Sequence, residues 1–178
     1  MGELRDFLIK EIPEFDWIQD KDLKEKTIQC FEMVIETRGW TTDELKNIPF
    51  TLLIDEPSAN LLNHTRSVTT MAKKVGETFN GFYTMQLNMD YLVAGALLHD
   101  VGKFVEYEKD GDNVKVSLEG KLLRHPFYGA LVAFKVGIPN EIINIIALHS
   151  KEGEKNKRTP EGIIIHHCDF MNFEPFRV

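Results

Sequence analysis

The feature that most constrains the fold is an apolar run that ends on two polar residues. Residues 91–98 read Tyr-Leu-Val-Ala-Gly-Ala-Leu-Leu, and His99 and Asp100 follow directly. Asn88 or Asp90 can cap a helix at the start of this run, and a helix that is apolar on every side is typical of the buried centre of a domain. The sequence therefore predicts a central helix that carries a histidine and an aspartate at its carboxyl end.

The remaining periodicity predicts further helices around this one and a small β-hairpin. Apolar positions repeat at helical spacing in segments that glycine, proline or polar residues separate. The predicted helices cover about residues 22–37, a short stretch from 41, 58–79 with Ser58 as its cap, 122–136, 140–149 and 160–171. Residues 104–108 and 114–117 alternate on either side of Asp110-Gly111, which is typical of a hairpin.

This pattern indicates the all-α class. A chain of 178 residues fits one helical bundle with a single core. We expect residues 1–57 to form an N-terminal helical cap that is not independent, and residues 58–178 to form the core that carries the candidate site. Pro49 and Pro57 bracket the apolar connector between the two parts.

The charge distribution argues against long nucleic acids as partners. The formal net charge is −7, and all of this excess lies in residues 1–57, which hold 14 acidic and 7 basic side chains. A binder of long nucleic acid needs a basic surface that neutralises phosphates, and the sequence has no such stripe. Small phosphorylated molecules need only local positive charge. An acidic cap over a cationic site would admit them and repel long polyanions.

Neither a membrane nor an oxidising compartment is indicated. No apolar run approaches the roughly 20 residues that span a bilayer, and the first residues lack a secretory signal pattern. The cytoplasm is the expected location. Cys30 and Cys168 match no zinc-binding spacing and are interpreted as packing residues. The oligomeric state is left open.

The candidate metal ligands are histidines and aspartates near the ends of predicted helices. The histidine positions are 64, 99, 125, 149, 166 and 167. A single histidine at a helix end is more often a hydrogen-bonded structural residue than a ligand. Asp100 is stronger evidence for a metal site, because a buried carboxylate needs a charge partner and the central helix holds no lysine or arginine. A divalent cation bound by imidazole and carboxylate groups would satisfy it.

The order of these residues resembles the H…HD…D signature of the HD-domain superfamily of metal-dependent phosphohydrolases, over about residues 58–172. Residues 97–103, Leu-Leu-His-Asp-Val-Gly-Lys, are similar to its central motif. Arg124-His125-Pro126 and Ile146-Ala147-Leu148-His149 resemble its two optional intermediate histidines. The resemblance implies a first ion bound by His64, His99, Asp100 and Asp169, and a second ion bound by His125, His149 and a bridging Asp100. Iron or manganese is typical of this dinuclear subset, and nickel, cobalt or zinc are further possibilities.

Other residues are candidates for contact with the substrate. The resemblance implies that Lys103 faces the substrate phosphate, although a cation is equally favoured near a helix carboxyl end for its dipole. Asp100 and Lys103 are thus the predicted catalytic residues. Arg124 and the loop 151–158 are further phosphate contacts to consider. His166 lies three residues before Asp169 and shares its helix face, whereas His167 does not.

The resemblance implies hydrolysis of a phosphate ester, in a small nucleotide or a related phosphorylated metabolite, by a metal-activated hydroxide. It leaves open whether the ester is a monoester or a diester. The paired histidines and GYP motif of the HD-GYP branch are absent, since His149 is followed by Ser150, which disfavours cyclic-di-GMP. The alternatives are a di-iron oxygenase with the same six ligands and a non-catalytic nucleotide-binding module.

Overall fold

The structure, a computed structural model, describes residues 2–54, 56, 58–111 and 113–178. Within these residues it consists of helices, short connections and one antiparallel pair of strands. The α-helices are α1 (Gly2–Glu11), α2 (Lys21–Arg38), α3 (Thr42–Leu45), α4 (Leu61–Phe82), α5 (Met89–Leu98), α6 (Lys103–Glu106), α7 (Leu118–Leu122), α8 (His125–Val136), α9 (Asn140–Leu148) and α10 (Pro160–Phe173). The strands are β1 (Tyr107–Asp110) and β2 (Asn113–Val116), and 3₁₀ helices cover Pro13–Trp17, Lys151–Gly153 and Glu174–Arg177. The predicted all-α class with one small hairpin is confirmed.

Helix α5 is the buried centre of the fold. The Asn88 side chain caps it by accepting a hydrogen bond from the Tyr91 amide, and every residue from Leu92 to Leu98 is buried. Helices α2, α4, α9 and α10 all pack against it. Gly95 permits this close approach, because a Cβ at that position would lie 2.8 Å from Cδ1 of Ile145 on α9. The packing brings the carboxyl end of α5 into the middle of the bundle.

The N-terminal helices share the main hydrophobic core. Leu8, Phe15 and Phe31 are buried in the same cluster as Leu97 and Phe104. The rings of Phe31 and Phe104 meet edge to face with their centroids 6.0 Å apart. This first part of the chain is therefore packed onto the rest. The predicted division after residue 57 stays a prediction, and Asp55 and Pro57 lie outside the described residues.

Several element boundaries differ from the prediction because of local caps. Helix α4 is capped by Asn60 and not by Ser58, since the Asn60 side chain accepts from the Asn63 amide at 2.8 Å. Asn60 has an extended backbone and forms an isolated β-bridge with Pro49, and the Leu61 amide donates to the Ile48 carbonyl at 2.7 Å. Helix α8 begins only at His125, because Pro126 fits the first turn of a helix and not its interior.

The hairpin is also shorter than predicted. Residues Lys103–Glu106 form α6, so β1 begins at Tyr107, which pairs with Val116. Gly111 has a φ of +62°, as a tight turn requires, and Asp112 lies outside the described residues. No helix in the described part of the chain has both the length and the apolarity of a membrane-spanning segment.

Candidate metal centre

Five buried side chains and the partly buried Asp169, from five helices and their ends, meet at the centre of the bundle. His99 and His149 end α5 and α9, and His125 opens α8. Asp100 directly follows His99. His64 projects from α4 and Asp169 from α10. These are the six residues that the resemblance proposes as metal ligands: His64, His99, Asp100, His125, His149 and Asp169.

The cluster consists of two groups that share Asp100. In the first group, Nε2 of His64 and of His99 each lie 3.4 Å from Oδ2 of Asp100. Nε2 of His64 also lies 3.1 Å from Oδ1 of Asp169. In the second group, Nε2 of His125 and of His149 lie 3.2 Å and 3.5 Å from the other oxygen of Asp100, Oδ1. Each oxygen of one carboxylate therefore faces its own set of partners.

The spacing of these atoms fits two metal ions. Ligand atoms that lie about 2.1 Å from one ion are separated by about 3.0–3.4 Å from each other in octahedral or tetrahedral arrangements. The separations in the cluster are close to these values, and the atoms within each group lie within 4.8 Å of one another. Imidazole and carboxylate donors suit divalent transition metals. The side chains of the cluster are thus able to hold metal.

The hydrogen bonds behind the histidines fix which nitrogen faces Asp100. Nδ1 of His99 donates to the Ala96 carbonyl at 2.6 Å, and Nδ1 of His149 donates to the Ile146 carbonyl at 2.8 Å. Such carbonyls are free because they belong to the last turn of a helix. A neutral imidazole that donates from Nδ1 presents a lone pair on Nε2. Both rings therefore turn a ligand atom toward Asp100.

The second group brings acceptors together without a donor. His125 also donates from Nδ1, so its Nε2 carries a lone pair, and this atom lies 3.4 Å from Nε2 of His149. Both atoms face Oδ1 of Asp100. Oδ1 of Asp100 is buried and accepts no hydrogen bond from any described residue. Three converging acceptors repel one another unless a cation lies between them.

Lys103 provides the charge partner that the central helix lacks. Its Nζ lies 2.7 Å from Oδ2 of Asp100 and donates a hydrogen bond of 2.6 Å to the Phe50 carbonyl. Burial raises the pKa of Asp100, but the Lys103 ammonium and the surrounding histidines together lower it by more, so this pKa lies well below its usual range. Burial also raises the pKa of Asp169, but the hydrogen bond from His64 and the other histidines of the cluster together lower it to about 2. Both carboxylates are therefore ionised at neutral pH.

All of the predicted substrate contacts except Lys103 lie outside this cluster. Arg124 is half exposed, with its Nε 3.4 Å from Oε1 of Glu106 and its Nη1 3.6 Å from Oε1 of Glu152. His166 donates from Nδ1 to the His149 carbonyl at 2.5 Å. In the loop 151–158, Arg158 donates to the carbonyl of Leu148, the last residue of α9, and to that of Ser150, so this side chain stabilises the loop. Lys103 is the one predicted contact that reaches a ligand atom directly.

Two residues of the site were missed by the sequence analysis. The ring of Phe50 stacks on that of His64 with centroids 4.2 Å apart and an interplanar angle of 10°. Glu106 is buried and accepts hydrogen bonds from the amide and from Nδ1 of His125. Nothing in the sequence singles out Phe50. Glu106 could have been found, because a glutamate within the apolar segment 104–107 is costly to bury without a partner.

Comparison with known proteins places this site in a family. The family model described as the HD domain matches residues 61–171. This is more than half of the chain, and the matched region runs from α4 to α10. The chain belongs to the HD-domain family. The family predicted from the order of the histidines and aspartates is thus confirmed, and all six cluster residues lie inside the HD domain.

The chain is similar to two kinds of curated protein. The dihydroneopterin 2',3'-cyclic phosphate phosphodiesterase of Methanocaldococcus jannaschii is 28% identical over 159 residues, which cover 85% of this chain and 63% of that protein. Ribonuclease Y of Thermotoga petrophila is 31% identical over 113 residues, which cover 64% of this chain and 18% of that protein. The chain therefore spans less than two thirds of the length of these relatives. No solved structure matches it.

Proposed function

We propose that the chain is a metal-dependent phosphohydrolase that binds two divalent ions and hydrolyses a phosphate ester of a small nucleotide or related phosphorylated metabolite. The observation that carries this proposal is the pair of groups around Asp100, in which each oxygen of one buried carboxylate faces two imidazole nitrogens. Membership in the HD-domain family supports the same chemistry.

The cluster side chains and Lys103 would have different roles in this hydrolysis. Ions bound in the cluster would supply a hydroxide nucleophile at neutral pH and a positive centre for the phosphoryl oxygens. Asp100 would hold both ions through its two oxygens. His64, His99 and Asp169 would complete the first site, and His125 and His149 the second. Lys103 would offer its ammonium group to a phosphate oxygen, as a point charge already buried beside Asp100.

The proposed ions are iron or manganese, because a mixed set of imidazole and carboxylate ligands suits both metals. Zinc, nickel and cobalt accept the same ligand types. Arg124 and His166 are proposed as outer contacts of the substrate. Arg124 is half exposed next to His125, and His166 binds the carbonyl of His149, so both adjoin the second group.

The proposed substrate is small. The similarity to a protein named as a cyclic phosphate phosphodiesterase supports a 2',3'-cyclic phosphate as the first substrate to test. The similarity to ribonuclease Y covers only 18% of that enzyme. A net charge of −7 disfavours long RNA, and His99 and Asp100 are 0% and 1% exposed.

We also propose that residues 1–57 form a cap that moves with the core, since both parts share one hydrophobic cluster.

The test pairs metal analysis with activity measurements. Purified protein is depleted of metal, reloaded with Mn²⁺, Fe²⁺ or Ni²⁺, and assayed on p-nitrophenyl phosphate, bis-p-nitrophenyl phosphate and 2',3'-cyclic AMP, with and without oxygen. We expect two ions per chain and oxygen-independent hydrolysis with Mn²⁺. Oxygen consumption by the iron-loaded protein, without hydrolysis of these esters, would establish the oxygenase alternative instead. Two bound ions without turnover on any phosphate ester would favour the non-catalytic module.

A further inference from the structure

The four histidines of the cluster are not held in the same way. His99 and His149 lie at the ends of their helices, and each Nδ1 donates to a carbonyl three residues earlier in its own helix. His125 is the first residue of α8 and has no such carbonyl behind it. The free groups at a helix start are amide donors, so they cannot accept the Nδ1 proton.

Glu106 supplies the missing acceptor. Its Oε2 accepts from Nδ1 of His125 at 2.7 Å and from the His125 amide at 2.5 Å. The Glu106 residue is 6% exposed and comes from α6, which begins one turn after Asp100. A Cβ on Gly120 would lie 2.8 Å from Cγ of Glu106, so helix α7 packs closely against this side chain. The carboxylate is therefore held in a single position against the ring.

The two groups around Asp100 also differ in charge. The first group contains two carboxylates, Asp100 and Asp169, whereas the second contains Asp100 alone. The second group lies at the amino end of α8, where the helix dipole is positive, and at the carboxyl end of α9, where it is negative, so the two dipoles oppose each other there. A carboxylate that binds Nδ1 of a metal-ligating histidine increases the basicity of the ligand nitrogen. Glu106 thus adds negative charge to the group that has less of it.

We propose that Glu106 is a positioning residue for the second ion, the one assigned to Asp100, His125 and His149. It acts through His125 by holding its ring, fixing its tautomer and adding charge, and it does not bind the ion itself. This inference rests on the proposed two-ion centre. It predicts that the two ions respond differently to a change at position 106, which a general loss of folding would not produce.

The variants separate charge from hydrogen bonding. Glu106→Gln retains an oxygen that accepts from Nδ1 and loses the charge, whereas Glu106→Ala loses both. Glu14→Gln is a matched control, because Glu14 is a 4% exposed carboxylate that pairs with Arg66 at 3.0 Å and with no cluster histidine. Each protein is titrated with Mn²⁺ alone by calorimetry, and bound manganese is followed by electron paramagnetic resonance. Thermal melting without metal shows that each variant is folded.

We expect two Mn²⁺ ions per wild-type chain and a spin-coupled signal. Glu106→Gln should lower the affinity for the second ion about 10- to 100-fold and leave the affinity for the first within about threefold of wild type. The spin-coupled signal should be replaced by that of isolated Mn²⁺. Glu106→Ala should weaken the second ion at least as much, and Glu14→Gln should change neither.

Three results would overturn the proposal. Wild-type affinity for both ions in Glu106→Gln would remove the role of Glu106 and leave the dinuclear centre intact. An equal loss of affinity for both ions would assign Glu106 a purely structural role as a cap of α8. A wild-type chain that binds one ion would refute the two-ion centre and this inference together.

Discussion

The substitution Asp100→Asn tests whether one carboxylate serves both ions. Its two oxygens face different groups, with Oδ2 3.4 Å from Nε2 of His99 and Oδ1 3.2 Å from Nε2 of His125. An amide keeps the size of the side chain but removes its charge and one acceptor. If Asp100 bridges the two ions, this single change should weaken both of them. Asp169→Asn should lower the affinity for the first ion only, and His149→Ala should lower the affinity for the second ion only.

The expected size of the effect follows from binding linkage. An ion present at about 1,000 times its dissociation constant stabilises a folded chain by about 4 kcal/mol, so two ions contribute about 8 kcal/mol. For a domain of this length, 1 kcal/mol corresponds to about 2–4 °C in Tm. Saturating Mn²⁺ should therefore raise the Tm of the wild-type chain by roughly 15–30 °C. Asp169→Asn and His149→Ala should keep about half of this rise, and Asp100→Asn should lose nearly all of it.

The assay is thermal melting of each variant with and without Mn²⁺, together with the number of bound ions from calorimetry. The quantity compared between variants is the rise in Tm on adding metal, not the Tm of the metal-free protein. Asp100→Asn leaves the buried ammonium of Lys103 without its ion-pair partner, which is expected to cost about 3–5 kcal/mol in the metal-free protein. An Asp100→Asn chain that keeps half of the wild-type rise and one bound ion would refute the bridging geometry.

Two further predictions address the substrate and the core. Lys103→Gln should keep both ions, because it removes a cation 2.7 Å from a ligand oxygen, and should lower turnover roughly 10- to 100-fold by loss of a charged phosphate contact; unchanged turnover would show that Lys103 only neutralises Asp100. Gly95→Val should lower stability by about 1–3 kcal/mol, because its Cβ would lie 2.8 Å from Cδ1 of Ile145. Gly81→Ala is the control for thermal melting, since a Cβ there meets nothing within 4 Å, and a loss of stability in the control as large as that of Gly95→Val would contradict the packing argument.

The helices were predictable where local patterns are strong. The apolar run 91–98 leaves little alternative to a buried helix, and the structure has α5 there. The boundaries that were wrong depend on contacts from outside the local segment. Ser58 and Asn60 are both good caps by residue type. Asn60 caps α4 because its bridge to Pro49 and the hydrogen bond from Leu61 to Ile48 fix where the helix can begin.

The short helix α6 could not be predicted for the same reason. Its sequence alternates as a strand would, and residues 104–108 were expected to form one arm of the hairpin. In the structure the Ser117 hydroxyl donates to the Val105 carbonyl, and the Ser117 amide donates to the Glu106 carbonyl. These contacts from beyond the hairpin hold the first residues in a helical turn.

The sequence by itself determined the family and the set of candidate ligands, because residue type, order and position at helix ends are local properties of the chain. The resemblance also implied which ligands would share an ion, but not the distances between their side chains. His64 and Asp169 are 105 residues apart, and only the packing of α4 against α10 brings their side chains to 3.1 Å. The assignment of one Asp100 oxygen to each group, and the support of His125 by Glu106, likewise depend on distances between helices, which only the tertiary structure decides.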